Sequence, residues 1–129
     1  MTEERIKEVL RQHKLWVETD GKEGVKANLS YDNLYDAALY GADLRYANLE
    51  SVSLNRANLS GANLEGACLY GANLYCANLS SANLSSAVLE GVDLRGANLR
   101  GANLKCADLR HARLRGVVLE GADLSDTKF

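Results

Sequence analysis

Residues 60–79 read SGANLEGACLYGANLYCANL, with a leucine at every fifth position and an alanine two residues before each. The interval suits neither an α-helix, with its period of 3.6, nor a strand, whose side chains alternate with a period of two. On a helix, leucines five apart would rotate by about 140° per repeat and spread around the whole circumference. On one continuous strand the odd spacing would send them to opposite faces in turn. Either arrangement leaves half of the leucines in water. The pattern is satisfied only if the chain turns a corner once per repeat, so that every leucine points toward a common axis.

The pattern runs without a gap from Leu29 to Leu124, twenty leucines in succession. The position two before each leucine holds alanine sixteen times, valine three times (Val52, Val92, Val117) and aspartate once (Asp32). Gly21 and Gly24 precede the repeats, and the other nine of the eleven glycines all stand two residues after a leucine. A type II turn needs positive φ at its third residue, where glycine costs least. Each repeat is therefore expected to be a short extended piece, with alanine and leucine inward around an outward polar residue, followed by a two-residue corner. Such a chain is a solenoid.

Charges suggest how many repeats complete one coil. Stacked parallel strands bring residues one coil apart to about 4.8 Å, where opposite charges help and like charges hurt. At a separation of 20, six charged pairs are opposite in sign (Asp36/Arg56, Arg45/Glu65, Glu90/Arg110, Asp93/Arg113, Arg100/Glu120, Asp108/Lys128) and only Arg95/Arg115 is alike. At a separation of 15, two pairs are opposite and six alike. Four sides are favoured over three.

Runs such as GANLEGACLYGANLYCANL resemble the pentapeptide-repeat family, over about residues 27 to 126. The resemblance implies an all-β solenoid, a right-handed, four-sided parallel β-helix; the handedness comes from the family alone. Twenty repeats make about five coils. The expected organisation is residues 1–24 as an N-terminal capping helix and linker and 25–129 as the β-helix. Asp32, in an inward alanine slot of the first coil, is expected to satisfy backbone groups that have no coil above them, and that coil to be the least regular.

Residues 2 to 19 read as an amphipathic helix, capped by Thr2, with Glu3 and Glu4 at the positive end of its dipole and Gly21 ending it. Ile6, Val9, Leu10, His13, Trp16 and Val17 share one side, suited to covering the open top of the solenoid, with Trp16 buried there. Tyr31, Tyr35, Tyr40 and Tyr46 fall at corners of the first coil, placed to surround this cap. The other end is expected to be blunt. Leu119, Leu124 and Phe129, the last in what would be the next leucine slot, form an apolar edge that invites a homodimer.

The 129 residues suffice for one domain, 47% hydrophobic and 25% charged with a formal net charge of −2, which gives no electrostatic case for nucleic acid or an anionic membrane. No apolar run approaches the roughly 20 residues of a membrane helix, and the charged start MTEERIKEVLRQHK is no signal peptide. Cys68, Cys76 and Cys106 are odd in number and lack metal-ligand spacing, so neither a disulfide framework nor a metal site is expected, and a cytoplasmic setting is. No cofactor site is read.

Catalysis needs groups converging in a pocket, which a leucine-filled solenoid does not offer; the two histidines, His13 and His111, carry no motif. The expectation is a non-catalytic protein-binding scaffold with an unidentified protein partner. The ten asparagines just before a leucine are expected to bond to one another between coils. Six basic residues lie between Arg95 and Arg115 with one acid, Asp108. Within that zone Arg95, Arg113 and Arg115 share one face and are the candidate docking patch for an acidic protein. The family resemblance also implies an alternative, modulation of DNA gyrase by mimicry of the duplex. That calls for a strongly acidic surface, whereas residues 27–129 hold eleven acids and nine bases. An enzyme is the remote alternative.

Overall fold

The computed structural model describes residues 1–129. It begins with one helix, α1 (Glu3–Glu18). The Thr2 side chain accepts the Arg5 N–H at 3.2 Å, and Glu3 and Glu4 fill the first turn, where the helix dipole favours negative charge. The far end closes in a Schellman motif: the Gly21 N–H donates to the Trp16 carbonyl at 2.8 Å and the Asp20 N–H to that of Val17 at 3.3 Å. The left-handed residue that stops the helix is therefore Asp20, at φ 53°, with Gly21 one place later. Gly24 is required for a different reason. A Cβ there would lie 2.2 Å from the Gln12 carbonyl oxygen, so only glycine lets the linker fold back along α1.

From Asn28 onward the chain pairs with itself in one register. All seventeen bridges are parallel and join residues twenty apart, from Asn28 with Asn48 to Asp108 with Lys128. Four repeats thus separate paired residues, as the charge pattern favours. The Leu29 N–H donates to the Asn48 carbonyl at 2.8 Å and the Asn48 N–H returns to Ala27 at 3.0 Å, a scheme that recurs down the chain. The bridges remain isolated and no continuous strand forms. A corner every five residues leaves one paired residue between turns.

At all twenty corners the third residue has positive φ, although only nine of them are glycine; Tyr31, Ser51 and His111 are among the rest. The ladder imposes this conformation on whatever residue stands there, at a cost of about 1 kcal/mol that glycine avoids.

Every leucine from Leu29 to Leu109 is buried, as is the alanine or valine two before it from Ala47 to Ala107. Ile6, Val9 and Leu10 of α1 close the upper end of this core. The wholly buried residue of the helix is His13, while Trp16 is only half-buried, its ring stacked on His13 at 5.6 Å with the Lys26 ammonium 5.7 Å from its centroid. Trp16 is thus a partner of His13 and the linker, not the expected plug. The Asp32 carboxylate makes no hydrogen bond and is half-exposed, and the first coil repeats the same turns and bridges as the others. Both expectations for that coil fail; of its upper backbone groups, the Ala27 N–H and the Arg45 carbonyl are met by His13 instead.

The four tyrosines of the first coil divide between the cap and the coil below. All are exposed; Tyr35 and Tyr40 line a groove beside α1, whereas Tyr31 donates to the Glu50 carboxylate of the coil below at 3.2 Å and Tyr46 lies over Gly66, whose absent side chain makes room for the ring. The asparagines also differ from expectation. Each of the ten accepts, on its own Oδ1, the backbone N–H two residues ahead, as Asn58 does from Ser60 at 3.1 Å. This local Asx turn satisfies the side chain and braces the corner, so no ladder of amides is needed between coils.

Candidate functional site

No buried side-chain polar atom lacks a partner, and nowhere do three side chains of the His, Cys, Asp or Glu types converge. A groove of about 730 Å³ runs between α1 and the first coil, lined by Ile6, Leu10, Leu34, Tyr35 and Tyr40, with Glu3 and Lys7 among its polar residues. The three thiols are free, Cys68 half-buried and Cys76 and Cys106 exposed at corners.

The charged surface is organised by a motif that occurs three times, Asp-Leu-Arg at 43–45, 93–95 and 108–110. In each copy the aspartate makes the Asx turn that asparagine makes elsewhere, and the arginine folds back over the leucine to fork it. Arg95 donates from Nε to Asp93 Oδ1 at 2.9 Å and from Nη2 to Oδ2 at 2.8 Å. Arg45 does the same to Asp43 at 3.0 and 2.7 Å, and Arg110 to Asp108 at 2.9 and 2.7 Å. The guanidiniums hold all three carboxyls below their ordinary range, Asp108 at about 2. Sequence reasoning sought charge pairs one coil apart and missed these forks. The repeated Asp-Leu-Arg was the available signal.

Of the six pairs expected at a separation of 20, three come within ion-pair distance: Arg100–Glu120 at 3.1 Å, Arg110–Glu90 at 3.5 Å and Arg113–Asp93 at 3.9 Å. Arg45 is diverted to Asp43, and Arg56 lies over the Tyr35 ring at 5.8 Å. The basic zone therefore divides. Arg100 and Arg110 are neutralised by neighbours, whereas of the candidate residues Arg95 and Arg113 share one carboxylate, Asp93, and Arg115 has none. Arg95 takes it in the fork while stacking on Tyr75 at 5.4 Å, Arg113 reaches it only at long range, and Arg115, one coil below Arg95 and exposed, makes no ion pair. Arg95 and Arg113 thus meet at Asp93, while Arg115 stands one coil below Arg95.

At the last coil, burial falls away. Leu119 is half-buried, Leu124 is 36% exposed and Phe129 65%. The backbone N–H groups of Leu114, Leu119 and Leu124 have no carbonyl to meet, unlike those of the leucines above. Thr127 occupies an inward slot and donates its hydroxyl to the Leu104 carbonyl at 2.7 Å. Leu119, Leu124 and Phe129 thus flank an unpaired parallel edge.

The family model for pentapeptide repeats matches in eight copies, over residues 33–71, 77–116 and 93–129. Among solved structures, the chain is similar to the pentapeptide repeat protein Rfr23 from the cyanobacterium Cyanothece 51142, with 39% identity, 84% of this chain and 68% of that one covered, and a TM-score of 0.62. It is also similar to HetL from Nostoc sp. strain PCC 7120, a protein involved in regulation of heterocyst differentiation (36% identity, TM-score 0.51), covering 80% of this chain and 57% of that one. A pentapeptide repeat protein of the Arabidopsis thaliana thylakoid lumen gives 28% identity and a TM-score of 0.50, covering 78% of this chain and 63% of that one. The chain thus spans less than two thirds of the latter two. No curated protein matches the sequence. With the five-residue leucine period, the twenty-residue register and a family match over most of the repeats, the chain belongs to the pentapeptide-repeat proteins.

Proposed function

We propose that this protein is a non-catalytic scaffold that binds an acidic segment of a partner protein through Arg95, Arg113 and Arg115. The observation that carries this reading is that Asp93 answers both Arg95 and Arg113, while Arg115 makes no ion pair. Arginine suits the task because its planar fork matches a carboxylate with two parallel hydrogen bonds. Arg95, already held by Asp93 and Tyr75, would act as a fixed wall, and Arg113 and Arg115 as the groups that reach the partner. The frame in this reading is a right-handed, four-sided coil of about five turns, supported by the register of twenty and by family membership. A cytoplasmic setting belongs to it too, supported by three unpaired thiols.

The gyrase alternative gains nothing from the surface. Mimicry of a duplex needs rows of uncompensated carboxylates, and Asp43, Asp93 and Asp108 are each covered by an arginine. The test is capture from lysate of the source organism with wild type and with Arg113→Glu/Arg115→Glu, which leaves the Asp93–Arg95 fork intact. An acidic protein retained by wild type alone, and released by moderate salt, supports the patch. Identical captures by both forms refute it. The same reading takes the edge at Leu119, Leu124 and Phe129 as a homodimer contact. Sedimentation would then show a dimer that Phe129→Glu converts to monomer.

A further inference from the structure

His13 is the one polar residue wholly buried in the molecule. It stands on the side of α1 that meets the first coil, and both ring nitrogens are engaged. Nδ1 accepts the Ala27 N–H at 2.9 Å, and Nε2 lies 2.8 Å from the Arg45 carbonyl oxygen. One partner is a donor and the other an acceptor. The two bonds together admit a single form of the ring, the neutral imidazole with its proton on Nε2. One coil lower, the carbonyl equivalent to that of Arg45 belongs to Glu65 and receives the Tyr46 N–H at 2.9 Å. His13 thus gives the first coil a donor that another coil above would otherwise give.

A second proton on this ring would set an N–H against the Ala27 N–H and leave the latter buried without an acceptor. The one anion nearby, Asp43, is already engaged. The charged groups around the ring are Asp43 and Arg45 from the first coil and Lys26 from the linker, while α1 itself contributes the apolar face of Trp16. Both oxygens of Asp43 are taken by the Arg45 fork. Burial, the largest influence, lowers the His13 value below its ordinary 6.5, against the smaller upward pulls of the Arg45 carbonyl and the Asp43 charge, with the Lys26 and Arg45 charges adding to the lowering.

We propose that His13 is a pH-sensitive latch: its protonation releases α1 from the first coil and uncovers the upper edge of the solenoid. The docked state binds the proton less readily than the released state, in which an exposed His13 titrates near 6.5. Docking is therefore at full strength above about pH 6.5. Below it the ratio of released to docked cap rises about tenfold per pH unit, until the lower docked-state value is passed.

Trp16 is the only tryptophan and stacks on His13, so its emission reports docking directly. The experiment titrates wild type, His13→Gln and His111→Gln from about pH 8 to about pH 4.5, a span that brackets the histidine range. Glutamine offers a donor and an acceptor but does not titrate there. Wild type and His111→Gln are expected to share a one-proton red shift that lies below 6.5. Amide protection factors, corrected for the hydroxide-catalysed intrinsic rate, should fall tenfold per pH unit in residues 3–18 and stay constant in the coils, and His13→Gln should show neither change. A second readout needs no variant: nitrogen shifts of the wild-type ring should report the Nε2–H form with a docked value below 6.5. The latch is overturned if Trp16 emission stays constant while His13 titrates, if His13→Gln retains the transition, or if the ring titrates at or above 6.5.

Discussion

Leu74→Ala removes three carbons from the middle of the leucine stack. Leu74 is 0% exposed, with Leu54 and Leu94 one coil above and below in the same state. The lost carbons account for about 2.4 kcal/mol at about 0.8 kcal/mol each. The surroundings cannot close the gap, because the Leu74 N–H is tied to the Asp93 carbonyl at 2.8 Å and the Asn73 N–H to that of Val52 at 2.9 Å, which fixes the spacing of the coils. A retained cavity raises the total to about 3–5 kcal/mol. A chain of 129 residues, at about 2.1 cal/mol/K per residue, gains about 0.27 kcal/mol/K of entropy on unfolding, so the Tm should fall by roughly 10–20 °C. Leu124→Ala is the internal comparison. That side chain is 36% exposed and has no coil beneath it, so truncation opens no closed cavity and should cost about 1–1.5 kcal/mol. Thermal and urea melts followed by circular dichroism measure both, with midpoint and slope compared because solenoids lose coils in steps. A Leu74→Ala shift below about 4 °C, or equal costs at the two positions, would refute the graded, axis-filling role given to the leucines.

Two glycines should respond differently to alanine. Gly61 has open space where a Cβ would go, so Gly61→Ala should cost only the strain of φ +65°, about 1 kcal/mol in a urea melt, whereas Gly24→Ala drives a methyl into the Gln12 carbonyl and should cost more and shift Trp16 emission. Asn58→Ala loses bonds from the Ser60 N–H (3.1 Å) and hydroxyl (2.8 Å) and should cost about 0.5–1 kcal/mol, while Asn58→Asp should melt close to wild type because Asp123 makes the same pair of contacts. The Arg95 fork lowers the Asp93 carboxyl, so its contribution is complete above the unfolded value near 4 and is lost as pH falls through the folded one. The urea midpoint should decline below about pH 4, and Asp93→Asn should flatten part of that decline; an unchanged slope in the variant would refute the fork's role.

The leucine period made the core legible because one spacing admits one solution, a corner per repeat with every leucine inward. The register was legible from charges for a similar reason, since it determines which charges meet. Other features followed rules that composition does not display. Eleven corners hold left-handed residues that are not glycine, because the ladder and not local preference decides φ there. Asn58 and its counterparts bond along the chain because the nearest free donor is two residues away, closer than any amide in the next coil. His13 carried no motif, and its importance arises only when α1 is laid on the first coil and two backbone groups face one ring. The run of basic residues from Arg95 to Arg115 was visible in the sequence, while the sharing of Asp93 by Arg95 and Arg113 required the Asp-Leu-Arg geometry.

The register of twenty has a consequence for how such chains change length. Loss of one pentapeptide would leave every downstream leucine pointing inward, so the interior would not register the deletion. The surface would, because each residue below the deletion moves round to the next column. A deletion between Leu94 and Ala112 would carry Arg113 and Arg115 away from Asp93 and Tyr75 and scatter the patch without exposing a single leucine. Loss of four pentapeptides would restore the original alignment. The interior thus tolerates changes in units of five, while any function written on the surface tolerates them only in units of twenty.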